Sequence, residues 1–248
     1  DDVNVRKAIA AAIDMPALQE NVIKEYGLPT NYSLVPESLF LFEKPQWEEY
    51  LANHPKYEYN LEQAKQYLAK SKYPNGFECT FDTSEFSTFN SMSLAFEQAL
   101  KEIGITVKIN KISQDELISE AFGSGIKDGV RPYDLLILEW FADFPDPAGV
   151  LTPELMKGLI GDGGSNIAAY TNDKVDDLLN QQSKSTDDAE RTRLMIEACN
   201  IVDAEVPYYV FAYPNALFGY NKRITGGVTD ATPMWWWKFP VSQIKLSN

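Results

Sequence analysis

Three acidic side chains, Glu139, Asp143 and Asp146, lie among aromatic rings and prolines in the stretch EWFADFPDP, residues 139–147. A carboxylate beside apolar rings loses solvation, so it needs a partner, which can be another protein group, a catalytic proton or a cation on a ligand. The stretch follows the apolar run YDLLIL, which predicts a buried strand. In open α/β sheets ligands bind beyond the carboxyl ends of the strands, so this stretch is a candidate binding site.

An enzyme is the main alternative to a binding protein. Two carboxylates as close as Asp143 and Asp146 can serve as the acid and base of a glycosidase, but no second acidic cluster in an apolar strand-end setting completes such a site. His54 is the only histidine, and no serine or cysteine elbow lies near it, which argues against a catalytic triad or a multi-histidine metal site. We expect His54 to be an exposed loop residue and the protein to bind a ligand without cofactor or metal. A third possibility, a carbohydrate-binding or adhesion module, is supported only by the aromatic content of the sequence.

Composition limits the class of protein further. The chain has 248 residues, of which 44% are hydrophobic, and a net charge of -14 from 36 acidic and 22 basic residues. Such a chain can bury a core, and its acidic excess argues against binding to nucleic acid or anionic lipid. It opens without an initiator methionine, a signal peptide or a lipobox cysteine, so we expect a piece of a longer protein. Cys79 and Cys199 can pair in an exported protein, but two buried free thiols are favoured.

Helix and strand patterns alternate along the chain and predict an α/β fold. NVRKAIAAAID has apolar residues on one helical face, Asp14 precedes a second helix that runs through Ile23, and Asn60 caps a helix in LEQAKQYLAKS. Residues 28–59, rich in proline, tyrosine and phenylalanine, are expected to be irregular. FECTFDT, the helix that Gly104 ends and ITVKINKI then predict a βαβ unit.

The second half of the chain continues this alternation. Ser113 and Glu116 form a capping box for the helix QDELISEAF, and YDLLILEWF is expected to return as a strand. Two helices, in DKVDDLLNQQSKS and DDAERTRLMIEACNIVDAEV, precede the strand-like PYYVFAY and ALFGYN. These patterns predict that the acidic and aromatic stretch lies at the C-terminal end of a strand.

The order and spacing of eight segments resemble a known family. They are VRKAIAAAIDMPAL, NLEQAKQYLAKS, ALKEIGITVKI, WFADFPDP, SNIAAYTNDKVDDLL, AERTRLMIEACNIV, VPYYVFAY and ITGG. Together they resemble the C-terminal lobe of the oligopeptide- and dipeptide-binding proteins that serve ABC importers, the extracellular solute-binding proteins of family 5. The resemblance covers nearly the whole chain and rests on the set of landmarks rather than on one specific motif.

The resemblance implies an α/β lobe of the periplasmic-binding-protein-like type II fold, with a central mixed sheet flanked by helices. It would belong to a two-lobed receptor, with residues 1–228 as the C-terminal ligand-binding lobe and residues 229–248 as a returning tail that packs on a missing N-terminal lobe. The implied partners are an oligopeptide and the permease subunits of an ABC transporter, with no nucleic acid. The implied location is extracytoplasmic, in the periplasm or on the cell surface as a lipoprotein. A non-peptide solute, such as a nickel complex, haem or a sugar, stays open.

The resemblance also implies roles for particular residues. In peptide-binding members the aspartate of a W-x-x-D pattern binds the α-amino group of the ligand, and Trp140 through Asp143 match this pattern. Trp140 and Phe141 are candidates to pack on the ligand backbone, and Asn166 is a candidate further contact. From the residues alone, Asp143 and Asn166 fit turns as well, and the two aromatic residues fit the core.

Two other features are expected to be structural. Asp146, directly before Pro147, is predicted to be a turn or cap residue. Trp235, Trp236 and Trp237 cannot all face one side of a strand, so packing or the connection between lobes is expected for them rather than a sugar platform.

Overall fold

The computed structural model describes residues 2–123, 130–161, 163–215, 219–225 and 244–246. Within these residues helices and strands alternate, as the sequence predicts. The helices are α1 (Val3–Ala12), α2 (Met15–Leu18, continued by a π-helical turn, Gln19–Ile23), α3 (Lys44–Asn53), α4 (Leu61–Ala69), α5 (Ser87–Lys101), α6 (Gln114–Phe122), α7 (Ala148–Leu155), α8 (Asp173–Gln182) and α9 (Asp188–Glu205). The strands are β1 (Gly27–Pro29), β2 (Phe77–Ser84), β3 (Ile105–Ile112), β4 (Leu135–Leu136), β5 (Ala212–Pro214), β6 (Ile224–Thr225) and β7 (Lys245–Leu246).

The βαβ unit expected from the sequence is confirmed. Strands β2 and β3 are parallel over eight residue pairs, from Phe77 with Ile105 to Ser84 with Ile112, and α5 connects them. Gly104 turns the chain from helix to strand with a φ of +87°, a conformation that glycine adopts at least cost. This unit forms the base on which the neighbouring helices pack.

The strand predicted over YDLLILEWF is much shorter than expected. Only Leu135 and Leu136 pair with β2, in parallel, followed by one hydrogen bond of 3.2 Å from the Ile137 amide to the Asp82 carbonyl. The sheet therefore has the order β3-β2-β4, while β1 with β5 and β6 with β7 form separate antiparallel pairs. Parallel and antiparallel pairing thus occur in separate sheets among the described residues, rather than in one central mixed sheet.

Two hydrophobic cores hold these elements. The first core joins the sheet to α1, α4 and α5, and its members include Phe81, Phe96 and Ile137. The second core joins α3, α7, α8 and α9, and Trp47 and Leu151 are among its fully buried side chains. None of the described helices is long and apolar enough to cross a membrane.

The segment expected to be irregular, residues 28–59, contains helix α3. Trp47 of this helix is buried and stacks on Phe40, with ring centroids 4.7 Å apart, and Tyr50 meets Trp47 edge-on at 5.9 Å. These contacts with the second core, together with Pro45 in the first turn, stabilise a helix whose sequence shows only a weak helical pattern.

His54 is buried, which contradicts the exposed position expected for it. Its side chain lies in a polar network below α3, where Nδ1 is 3.4 Å from Asp203 Oδ2. The hydroxyl of Tyr50 donates to the same Asp203 oxygen at 2.6 Å and lies 3.1 Å from the Ser33 hydroxyl. The network fixes α3 to α9. The Cys199 thiol lies beside Tyr50 and Asp203, and burial places its pKa well above its usual value, so it is a neutral core thiol rather than an activated nucleophile.

We expect Tyr50→Phe to lower the free energy of unfolding by about 1.5 to 3 kcal/mol, because it removes a buried hydrogen bond to a carboxylate. The melting temperature should fall by about 3 to 10 °C. Urea unfolding of the chain measures this loss. Tyr57→Phe is the matched control, since the Tyr57 hydroxyl donates only to the backbone carbonyl of Asp203, at 2.9 Å; it should cost about 0.5 to 1.5 kcal/mol. Equal losses in the two variants would contradict this account of the network.

The two cysteines are free and buried, as expected. Burial raises the pKa of the Cys79 thiol to about 11 and places the pKa of the Cys199 thiol well above its usual value. Both are therefore neutral thiols that pack in the cores. The run from Trp235 to Trp237 and nearly all of the predicted tail, residues 229–248, lie outside the described residues.

Candidate ligand-binding site

The carboxylate of Asp143 lies in the loop between β4 and α7. The Asp143 amide donates to the Gly149 carbonyl at 3.2 Å, which fixes the loop to the first turn of α7. A Cβ at position 149 would lie 2.6 Å from the Phe144 carbonyl oxygen, so only glycine permits this close approach. The Asp143 side chain is exposed, and its carboxylate has neither a hydrogen bond nor an ion pair within the described residues.

Asp146 differs sharply from Asp143, although both belong to the same short stretch. Its Oδ1 accepts a hydrogen bond from the Ala148 amide at 2.8 Å, and its Oδ2 is 2.9 Å from a guanidinium nitrogen of Arg191 in α9. The turn role expected for Asp146 is therefore confirmed. Of these two carboxylates, only Asp143 is left to meet an external cation.

The two aromatic candidates occupy different environments. Trp140 packs against the second core and meets Phe122 of α6 with ring centroids 5.9 Å apart. Its indole nitrogen is buried without a hydrogen-bond partner within the described residues. Phe141 is 41% exposed, on the same stretch as Asp143. Phe141 is thus the better placed of the two to contact a ligand, and a ligand role for either residue stays a prediction.

Asn166 is fully buried and anchors the 163–173 loop. Its side-chain nitrogen donates to the carbonyls of Met156 (3.2 Å) and Tyr170 (2.9 Å), and its oxygen accepts from the Tyr170 amide at 3.0 Å. Both amide hydrogens are therefore used inside the protein, so a direct ligand contact, which stays a prediction, would have to use the remaining lone pair of the oxygen. Asn172 caps α8 by accepting hydrogen bonds from the amides of Lys174 and Val175.

Asp143 borders an open groove of about 780 Å³. The groove's other lining residues include Phe144, Thr152 and Pro153 of α7, Ser165 and Arg191. Such a volume suits a ligand of several residues or a comparable small molecule. Of the four candidate residues, Asp143 lines this groove, whereas Asn166 is buried behind its edge.

Two further acidic positions were not singled out in the sequence. Glu120 of α6 lies against Asp82 of β2, and burial, followed by its hydrogen bond with Asp82 and the repulsion between the two charges, raises the pKa of Glu120 to about 7. Glu154 of α7 is 2% exposed, and burial, together with the charge of Asp143, raises its pKa to about 8 despite the nearby Tyr208 hydroxyl. The signal for Glu154 was available, because it is the single charge in the apolar helix AGVLTPEL.

The groove that Asp143 borders shows little that would support a metal site or a catalytic nucleophile. The described residues contain no group of three histidine, cysteine, aspartate or glutamate side chains that could hold a metal ion. His54 belongs to the Asp203 network rather than to the groove. The geometry instead provides one exposed carboxylate beside an aromatic ring, in a groove large enough for a small ligand.

The fold is that of a lobe of a type II periplasmic binding protein. The periplasmic binding protein DppA from Helicobacter pylori, in complex with the peptide STSA, superposes with a TM-score of 0.81 at 24% identity, covering 99% of this chain and 44% of that one. AgaA of A. tumefaciens R10, in complex with agropinic acid, gives a TM-score of 0.76 at 21% identity, covering all of this chain and 48% of that one.

The chain belongs to the bacterial extracellular solute-binding proteins of family 5, whose middle-region profile matches residues 1–158. The family expected from the sequence is thereby confirmed. The glutathione-binding protein GsiB of Escherichia coli O6:K15:H31 is 29% identical over 228 residues, which are 91% of this chain and 42% of that relative. This chain therefore spans less than half the length of each of these three relatives, and each of the three is named as a binding protein.

Proposed function

We propose that this chain is the C-terminal lobe of the substrate-binding component of an ABC importer, and that it captures oligopeptides by holding their α-amino group at Asp143. The observation that carries the proposal is the exposed Asp143 carboxylate, which borders the groove without an internal partner while neighbouring Asp146 is paired with Arg191. The receptor works outside the cytoplasmic membrane, passes its ligand to the permease and catalyses no reaction.

A fixed carboxylate suits a receptor with a broad peptide range. Every unmodified peptide carries a protonated α-amine, and a charge-assisted hydrogen bond to Asp143 holds it without reading any side chain. The stretch that carries Asp143 follows β4 directly, so we expect an extended peptide to lie along it as along a strand edge. Backbone hydrogen bonds along such an edge add affinity that does not depend on peptide sequence, and Phe141 adds an apolar contact.

The remaining parts of the receptor follow from the length of the relatives. This chain covers 44% of DppA and 42% of GsiB, which leaves room for a second lobe that closes over the ligand. We propose that residues 1–228 form one lobe and that residues 229–248 return toward the other, with Trp235 to Trp237 in that returning segment.

Two of the relatives support a peptide ligand, and the third supports the alternative of a non-peptide solute. Glutathione and the STSA peptide are both peptides with a free amine, and they are the named ligands of GsiB and DppA. Agropinic acid in AgaA shows that this fold also takes a solute that is not an oligopeptide. A non-peptide solute is therefore the second candidate function for this chain.

Calorimetry on the complete receptor tests the proposal from the ligand side. We expect an unmodified alanine tripeptide to bind at least about tenfold more tightly than its N-acetylated form, because acetylation removes the charge that Asp143 holds. A C-terminally amidated tripeptide is the matched control, because amidation removes the charge of the C-terminal carboxylate and leaves the α-amine free. Glutathione and agropinic acid complete the panel. Equal binding of the free and acetylated peptides would overturn the amine anchor, and preference for agropinic acid would favour the non-peptide function.

A further inference from the structure

A buried carboxyl lies in the helix that borders the groove, and one of its two oxygens has no hydrogen-bond partner among the described residues. Glu154 follows Thr152 and Pro153, which line the groove, yet it is itself 2% exposed. Its Oε1 atom is buried without a hydrogen-bond partner, and no ion pair between described residues includes Glu154. Removing a charged carboxylate from water in this way is costly, so the side chain keeps its proton until a positive charge comes near.

The groups that face Glu154 come from three other segments. Tyr208, beyond α9, donates its hydroxyl to the Glu154 backbone carbonyl at 2.8 Å and lies close to the carboxyl as well. Tyr133, before β4, lies within electrostatic reach, and so does Asp143 in the groove loop. Arg131 is occupied elsewhere, by the carbonyls of Ala121 and Asn166. The charge nearest to Glu154 is therefore the negative charge of Asp143, which opposes its ionisation.

We propose that Glu154 couples ligand capture to proton release: when an ammonium group binds at Asp143, the buried carboxyl of Glu154 gives up its proton and becomes a second negative charge near the amine. The proposal rests on the amine anchor at Asp143. The ligand cation cancels the repulsion from Asp143 and adds an attraction of its own, and both effects favour the carboxylate. The O–H bond of Glu154 breaks, its electron pair stays on the oxygen, and the proton passes to a buffer base.

Such coupling makes capture depend on pH. Affinity for a peptide with a free α-amine should rise with pH until the pH reaches the pKa of Glu154 in the unliganded protein. The reason is that the complex holds fewer protons than the separate protein and peptide. Above about pH 8 the α-amine of the peptide itself loses its proton, which acts in the opposite direction. The optimum for capture should therefore lie near neutral to mildly alkaline pH, and acid should favour release.

The test is calorimetry of the complete receptor with the alanine tripeptide, in buffers of different ionisation enthalpy at about pH 7.5. For each tripeptide bound, the wild type should release roughly 0.3 to 1 proton more than Glu154→Gln. Protons exchanged by the peptide amine are the same in both proteins and cancel in this difference. At about pH 8 the variant should also bind about three- to tenfold more weakly, with a smaller difference near pH 6. A purely structural role for Glu154 would change affinity without changing the proton count.

Infrared difference spectra of the wild type provide a second measurement that needs no variant. Adding the tripeptide should remove the band of a protonated buried carboxyl, while the N-acetylated tripeptide should leave it in place. Equal proton counts in wild type and variant, or a band that persists with the free peptide bound, would overturn the role of Glu154. If the free peptide still outcompetes the acetylated one in that case, the amine anchor stands alone; if the two peptides bind equally, the proposed function fails as well.

Discussion

Asp143→Asn should weaken the binding of an unmodified tripeptide to the complete receptor by about 2 to 5 kcal/mol, or roughly 30-fold to several thousandfold. In the proposed receptor, closure of the second lobe over the groove removes water from the pair of carboxylate and ammonium. Replacing the carboxylate then leaves the ammonium buried without its counter-charge, which costs more than the loss of one exposed ion pair. Calorimetry or competition binding measures the change.

The N-acetylated tripeptide turns this substitution into a double-mutant cycle. It should bind the wild type poorly and lose little further affinity in Asp143→Asn, so the coupling energy between residue and amine should be large. Asp177→Asn is the matched control, because it removes the same charge from the chain. Asp177 is exposed on α8 and does not border the groove. A variant that melts at a lower temperature but keeps its affinity and its preference for the free amine would make Asp143 a structural turn residue.

Glu154→Gln should stabilise the folded chain at alkaline pH but not at acid pH. The pKa of Glu154 is raised from 4.5 to about 8, so between these values the folded chain holds a proton that the unfolded chain has lost. Stability therefore falls as the pH rises from about 4.5, and the loss is complete above about pH 8. The full penalty is on the order of 3 to 5 kcal/mol, and glutamine, a neutral side chain of the same shape, avoids it.

Urea unfolding of wild type and variant between about pH 5 and pH 9 measures this penalty as a difference, in which the other titrating groups cancel. Glu62→Gln is the control, because the Glu62 side chain is 84% exposed and its variant should track the wild type at every pH. A constant difference between wild type and Glu154→Gln across this range would show that Glu154 is ionised in the folded chain already. The proton release proposed for ligand capture would then have no source.

The features that could be predicted from the sequence are those set by short-range chemistry. The βαβ unit followed from alternating apolar residues and from Gly104, and the caps at Asn60 and Ser113 followed from side chains that bond amides three residues away. The turn at Asp146 is equally local, since its Oδ1 accepts the Ala148 amide. Each of these contacts joins residues that are near neighbours in the sequence.

The features that could not be predicted depend on distant partners. The burial of His54 was missed because its partner, Asp203, is remote in the chain and gives no local signal. Helix α3 was missed because its stability comes from the packing of Trp47 in the second core. The same limit applies at the site. The sequence predicts the turn at Asp146 but not its ion pair, because only the fold brings Arg191 to it.

The groove is lined by residues in and around α7, α8 and α9 and by none from the sheet, which has a consequence for how ligand range can change. Ile137 belongs to the first core with the sheet, whereas α7, whose first turn holds the Asp143 amide, belongs to the second core with α8 and α9. The proposed anchor is thus mounted on the helices of the second core rather than on the sheet. Substitutions deep between α7, α8 and α9 could then move the carboxylate and reshape ligand preference during evolution, while every residue that borders the groove stays the same.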